Sequence, residues 1–365
     1  MYNETELVRI ARRENNTKRN YLVVDPLQGK HVPVSPTKAL NLFSDLAGEV
    51  QNEYADETLL VVGFAETATA IGAQVAICLG AKYIQTTRET IPGVEYLFFS
   101  EEHSHATEQK LVKTDLDAVV GEIDRILFVE DEVTTGKTIL NIISVFENMY
   151  AKPIRFSVLS LLNGMDREST DLYAEKGIRL HYVLKTDHKA FAERAEQYRG
   201  DGRYVACDTG TVPGVDEIRV SGYMNARRLV DAQSYREAGE SLWEQVRTRV
   251  VKEGCESVLV IGTEEFMYPA LLIGQKLEGA GKAVRCHATT RSPIVVSTEE
   301  EYPLHERYEL KSLYDETRKT FIYDLEPYDR VVIVTDAPAG EKTGLYSLLH
   351  AVCRNNDDVV VVRWC

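Results

Sequence analysis

The sequence predicts an α/β fold: a parallel sheet flanked by helices, followed by a second α/β domain that reads as a degenerate copy of the first. Three observations carry this. Apolar runs without polar alternation, LLVVGFA (59–65) and ILFV (126–129), have the pattern of strands buried on both faces. Segments of helical apolar spacing follow them, TAIGAQVAICLG and ILNIISVF. The same order of elements then returns in the second half, and such alternation argues for parallel βαβ units.

Taken in order, LLVVGFA is the first buried strand and TAIGAQVAICLG the helix after it. AKYIQTTRET (81–90) and YLFFSEEH (96–103) read as strand arms around a turn at Pro92 and Gly93. RILFVED, IRFSVLSLLNG and IRLHYVLKT supply three more strands. In the second half SVLVIGTEEFMYPALLIGQKLEGAGKAVRCHATTRSPIV follows the pattern of the segment from 58 onward, and RVVIVTDAPAGEKTG follows RILFVEDEVTTGKT. Gly63 and Gly262 are 199 residues apart, Arg88 and Arg291 203, Asp131 and Asp336 205. A slowly drifting offset with a constant order of elements is what a duplicated fold gives. The expected division is a first domain over 1–206 with an N-terminal hood, a linker over 207–225 and a second domain over 226–365.

The 365 residues suffice for two domains with full cores. With 42 basic and 57 acidic residues the net charge is −15, which argues against wrapping nucleic acid. The N-terminus is polar without an apolar signal core, and no apolar run reaches membrane-span length. Six scattered cysteines without a C-x-x-C pair point to reduced thiols, so a cytoplasmic location is expected.

The segment ILFVEDEVTTGKT (126–138) carries the chemistry. A strand, a hydroxyl-rich turn and a helix start form an anion site, because the first helical N–H groups lack internal partners. Two acids directly before a phosphate cradle would repel the phosphate unless they bind something else, such as vicinal ribose hydroxyls or a magnesium ion. The order of parts describes a sugar carrying a phosphate at one end. A P-loop reading of Gly136, Lys137 and Thr138 fails, since that motif needs a glycine where Asp131 stands.

This order resembles the signature of type I phosphoribosyltransferases. Thr290, Arg291, Ser292 and Pro293 match the motif naming the second domain of a narrower group, the orotate phosphoribosyltransferase-like proteins of tellurium-resistance gene clusters with a C-terminal TRSP domain. The resemblance implies a type I phosphoribosyltransferase-like fold and a cytoplasmic enzyme. That enzyme would transfer phosphoribosyl from its pyrophosphate to a base-like acceptor, in making a nucleotide-like metabolite. It implies Glu130 and Asp131 as the acids that bind ribose and Mg2+, the metal partly through the substrate. Thr134, Thr135, Gly136, Lys137 and Thr138 would grip the 5′-phosphate, although Lys137 stands where the family more often has a small residue. Ala65, Glu66, Thr67 and Ala68 fall at the pyrophosphate loop, where Glu66 is awkward unless it faces magnesium or points away. The second copy has Thr335 for the first acid and Pro338 and Ala339 in the loop, a degraded binding segment.

Arg88 suits the leaving pyrophosphate, because a guanidinium forks onto two phosphate oxygens; a salt bridge to Glu89 is the alternative. FSEEHSHATEQK (99–110) takes the place of the family's mobile catalytic loop but departs from orotate phosphoribosyltransferases, which use lysines and a histidine there. His103 and His105 could donate to pyrophosphate or move a proton there, or be solvated loop residues. Gln28, Lys30 and His31, in a hairpin-like turn, offer donors to an acceptor, or form a plain hairpin. The basic run of Arg12, Arg13, Lys18 and Arg19 reads as a solvated helix face or as a reach toward a neighbouring subunit's phosphates. Expected partners are phosphoribosyl pyrophosphate, a small acceptor and a second copy in a homodimer, with no nucleic acid or membrane. The rival class is a regulator that binds phosphoribosyl pyrophosphate without catalysis.

Overall fold

The computed structural model describes residues 2–16, 19–99, 109–212, 214–340 and 342–365. Two parallel sheets form the two halves. In the first, the strands lie in the order Val230–Asp231, Lys82–Gln85, Leu59–Gly63, Arg125–Val133, Arg155–Asn163, Arg179–Lys185, and only the first of these runs antiparallel. In the second the order is Ala283–Ala288, Ser257–Gly262, Arg330–Thr335, Val359–Trp364, Asp216–Val220, all parallel. The central strands are buried along their whole length, as their unbroken apolar runs require.

Four strands therefore correspond in order, and the loops correspond in detail. Ala65 N–H donates to the Thr86 hydroxyl at 2.8 Å, and Glu264 N–H to the Thr289 hydroxyl at 3.0 Å. Thr87 N–H reaches the Lys110 carbonyl at 2.9 Å, and Thr290 N–H the Phe321 carbonyl at 2.8 Å. The second half is a copy of the first. The fifth strand breaks the correspondence: Asp216–Val220 precedes its sheet in the chain, whereas Arg179–Lys185 ends its own. The stretch expected as a linker, 207–225, contains this strand. Arg203–Ala206, expected in the first domain, pairs with Glu306–Lys311 of the second half.

Contacts across the seam come in reciprocal pairs, as in an isologous dimer. Helix Pro36–Gly48 packs on helix Tyr268–Gly279, and helix Ala232–Val250 packs on helix Thr69–Leu79. Val34 bridges antiparallel to Cys286 on the edge of the second sheet, and Val230 pairs antiparallel with Tyr83 on the edge of the first. Each half thus lends a short segment to the other's sheet. One apolar core, including Phe43, Ile71, Tyr235 and Leu271, runs through both halves, while the outer faces of the sheets have cores of their own.

The basic run near the N-terminus forms an arm instead of the expected helix: strands Arg9–Arg12 and Tyr21–Val24 pair antiparallel. The arm is stitched to the second half by Val295 N–H to the Arg12 carbonyl (2.9 Å) and Glu14 N–H to the Pro293 carbonyl (3.0 Å). Among the described residues no helix is long and apolar enough to cross a membrane.

Candidate functional site

From strand Leu59–Gly63 the chain crosses to Lys82–Gln85 on one side, and Arg125–Val133 lies on the other. The loops leaving the first and last of these strands diverge, opening a crevice at their C-terminal ends, where α/β sheets bind ligands. A cleft of about 520 Å³ occupies this place. Its floor is Ala65, Glu66 and Thr67 on one side and Glu130, Asp131, Glu132 and Thr138 on the other, with Arg88 and Gln109 between. A second cleft of about 520 Å³ lies beside edge strand Arg179–Lys185, but it holds neither the acids nor the hydroxyl loop.

Strand Arg125–Val133 continues through the acids, with Glu130 opposite Ser160 and Glu132 opposite Leu162. Period-2 alternation therefore separates Asp131 from its two neighbours. Asp131 Oδ1 accepts the Thr67 hydroxyl at 2.9 Å, which ties the acid strand to the opposite loop. Burial, with Glu132 close by, pushes the Asp131 carboxyl above its usual range. Glu132 itself pairs with Arg19 at 2.5 Å and lies 3.4 Å from His188 Nε2.

The loop after the acids turns into helix Lys137–Met149 at Gly136, which has φ +70°. The position demands glycine twice: for its left-handed backbone, and because an added Cβ would lie 2.3 Å from the Tyr173 hydroxyl. That hydroxyl donates to the Gly136 carbonyl at 2.6 Å and fixes the turn. Thr138 faces the cleft, Thr134 and Thr135 are half-buried beside it, and Lys137 is exposed.

The opposite loop is held from several directions. Gln109 Nε2 donates to the Ala65 carbonyl at 2.6 Å, and Gln28 Nε2 to the Thr67 carbonyl at 3.0 Å. Ala68 is buried at the helix start. Glu66 turns toward Lys30 Nζ at 2.6 Å and Arg291 Nε at 3.2 Å. Burial would raise the Glu66 carboxyl, but these two cations outweigh it and hold the group below its usual range.

Gln28, Lys30 and His31, expected at the acceptor, are not on the cleft wall. All three are buried behind the loop. Lys30 Nζ also donates to the carbonyls of Glu264 (2.7 Å) and Thr289 (2.9 Å), and burial drives His31 down to about 3, a neutral ring at any ordinary pH. Arg13, Asn15, Asn16 and Arg19 from the arm, and Ser292 and Pro293 from the second half, wall the cleft instead. The basic run and the TRSP motif were visible in the sequence, but nothing local brought them together. Glu132 was visible as the third acid of the run Glu130, Asp131, Glu132. His103 and His105 lie outside the described residues. Among the described residues no group of three or more His, Cys, Asp and Glu is placed to hold a metal ion.

The corresponding place in the second half is filled by protein. Asp336 Oδ1 accepts the Tyr314 hydroxyl at 2.5 Å, its Oδ2 the Tyr223 hydroxyl at 2.6 Å, and Arg227 pairs with it. Ser312 donates to Glu264 Oε1 at 2.6 Å, and Arg318 reaches Glu264 at 3.0 Å and Glu89 at 2.6 Å. Ser312, Tyr314 and Arg318 all belong to the turn between strands Glu306–Lys311 and Lys319–Tyr323.

Residues 7–188 match a family model described as phosphoribosyl transferase, and 227–352 match the TRSP domain found C-terminal to it. No curated protein matches the chain. Similar solved structures include adenine phosphoribosyltransferase from Rhodothermus marinus, 17% identical over 50% of this chain and 96% of that one, with a TM-score of 0.35. The Giardia lamblia enzyme complexed with 9-deazaadenine is 20% identical over 50% and 95%, TM-score 0.34. Orotate phosphoribosyltransferase from Aeropyrum pernix is 18% identical over 52% and 93%, TM-score 0.31.

Proposed function

The chain belongs to the phosphoribosyl transferase family with a C-terminal TRSP domain, and from that premise we propose that its first half binds phosphoribosyl pyrophosphate and transfers the phosphoribosyl group to a small acceptor. The observation that carries this is the joining of Asp131 to Thr67 across the cleft, with the Gly136 turn immediately after the acids. Ribose hydroxyls would bind Glu130 and Asp131, the 5′-phosphate the turn over 134–138, and the pyrophosphate the loop over 65–68 with Arg88.

In the reaction the C1–O bond to pyrophosphate breaks with its electron pair leaving on pyrophosphate. An acceptor nitrogen bonds to C1 and gives up its proton to the departing pyrophosphate or to water. The residues' work is positioning and charge placement: the acids steady the cation-like sugar, and guanidinium and N–H donors stabilise the departing anion. Glu130 and Asp131 supply oxygen donors suited to Mg2+, but only two, so the ion would be held partly by the substrate's own oxygens. Bound there, it would offset pyrophosphate charge. The acceptor would enter between the arm residues Arg13, Asn15 and Asn16 and the second-half residues Ser292 and Pro293, which also line the cleft.

Pyrophosphate release is the test, with phosphoribosyl pyrophosphate, Mg2+ and fractionated cell extract as the acceptor source. Release that depends on one fraction and disappears in Asp131→Asn supports transfer. Binding of the donor with no release from any fraction supports the regulator instead.

A further inference from the structure

We propose that Arg291 of the second half is a positioning residue for the first half's site, acting through Glu66 to hold the pyrophosphate-side loop. The inference rests on the phosphoribosyl reading above. Arg291 keeps 9% of its side chain exposed, at the cleft that it helps to line, and sits among four carboxylates. Its Nε lies 2.8 Å from Glu264 and 3.2 Å from Glu66, and its second guanidinium nitrogen lies 2.6 Å from Glu89 and 3.0 Å from Glu265. Its backbone N–H also donates to Glu66 Oε1 at 3.2 Å. Two of these acids, Glu66 and Glu89, belong to the first half, and Glu66 lies in the loop that lines the cleft.

The physical problem is a carboxylate in a loop meant for a highly charged anion. Two like charges a few ångströms apart near a protein surface repel strongly. Lys30 of the first half and Arg291 of the second pair with the Glu66 carboxylate and neutralise it. The reciprocal contact fixes the other pyrophosphate-side segment: Glu265 of the second half accepts the Thr87 hydroxyl at 2.6 Å and Arg88 N–H at 2.9 Å. Both segments assigned to the leaving group are thus seated on the second half, which takes the place a partner subunit has in an isologous dimer. The seat needs a guanidinium, because a single ammonium cannot fork between Glu66, Glu264, Glu89 and Glu265 at once.

The test compares two probes that share the sugar phosphate and differ only in the pyrophosphate. Titrate phosphoribosyl pyrophosphate with Mg2+, and separately ribose 5-phosphate, into the full chain and into Arg291→Lys. Arg291→Lys is expected to weaken the pyrophosphate compound about tenfold or more while ribose 5-phosphate stays within about twofold. Equal weakening of both would mean a purely structural role and would overturn the inference, as would no change in either. Should Arg291→Lys not fold, Glu66→Ala is read the same way, since it removes the acceptor of both Arg291 contacts while leaving Arg291 three acids. Selective loss in it supports the clamp and equal loss overturns it. If the wild-type chain binds neither probe, the phosphoribosyl reading fails and this inference with it. Wild-type binding that Asp131→Asn abolishes, without selectivity in the Arg291 variant, sinks the inference alone.

Discussion

Two loops in this chain descend from one pattern, and they use their acids in opposite ways. In the first half Glu130, Asp131 and Thr138 line a cleft. In the second, Asp336 is closed in by Tyr223, Tyr314 and Arg227, and Ser312 and Arg318 hold the neighbouring Glu264. The difference is one of occupancy: Asp336 keeps the charge of Asp131 while Thr335 stands for Glu130, and protein donors surround the acid that remains. Buried charges retained this way are costly to break, because removing one partner leaves the other uncompensated, at roughly 3–5 kcal/mol.

The comparison can be broken most directly at the acids. Asp131→Asn is expected to lower pyrophosphate release by about 100-fold or more with little change in melting temperature. Asp336→Asn is expected to do the reverse, lowering the melting temperature while donor affinity stays nearly constant. Matched losses of activity from both variants would show that the second site is still in use. Next in size are the loop glycines. Gly136→Ala meets a left-handed backbone and the Tyr173 hydroxyl, and should cost roughly 2 kcal/mol or more along with donor binding. At Gly340 an added Cβ meets nothing within 4 Å, so Gly340→Ala should stay within about 0.5 kcal/mol in urea unfolding.

A smaller effect is expected from acid. Burial would raise the Glu265 carboxyl, but Arg291 and Arg227 outweigh it and pull it down to about 2, from an ordinary 4.5. A depressed carboxyl gives stability that is present above its unfolded value and is lost as pH falls through its folded one. The seam should therefore weaken between about pH 4.5 and pH 2, with melting temperature falling across that window. Glu265→Gln, neutral throughout, should flatten the fall; an equally steep fall in that variant would place the acid sensitivity elsewhere.

The parallel sheets, the duplication and the family were legible because they rest on local patterns: unbroken apolar runs, a fixed order of elements, and the Glu130, Asp131 and Thr134 to Thr138 signature. The strand arms expected around Pro92 and Gly93 do not pair with each other: Lys82–Gln85 joins Leu59–Gly63 and Tyr96–Phe99 joins Gln109–Val112. What was not legible depends on contacts across the seam. Lys30 looked like an acceptor donor, since nothing near it in sequence announces Glu66, 36 residues on, or the carbonyls of Glu264 and Thr289. Arg13 and Arg19 had helix-like charge spacing, but pairing of Arg12 with Tyr21 makes a hairpin instead. The stretch over 207–225 looked like a linker because its Gly, Thr and Pro content hid Asp216–Val220, a five-residue edge strand. Glu66 was awkward as read alone, and its reason lies 225 residues away at Arg291.

The exchanged edge segments have a consequence for how the molecule is made. The first sheet is completed by Val230, which emerges from the ribosome long after Lys82, and the second sheet borrows Val34 from the opposite end of the chain. Neither half can finish before the other has begun, so long-range contacts must form together and folding should be slow and all-or-none. We expect a single calorimetric unfolding transition for the whole chain. Two separated transitions would mean that the lent strands are ornaments on halves that stand alone.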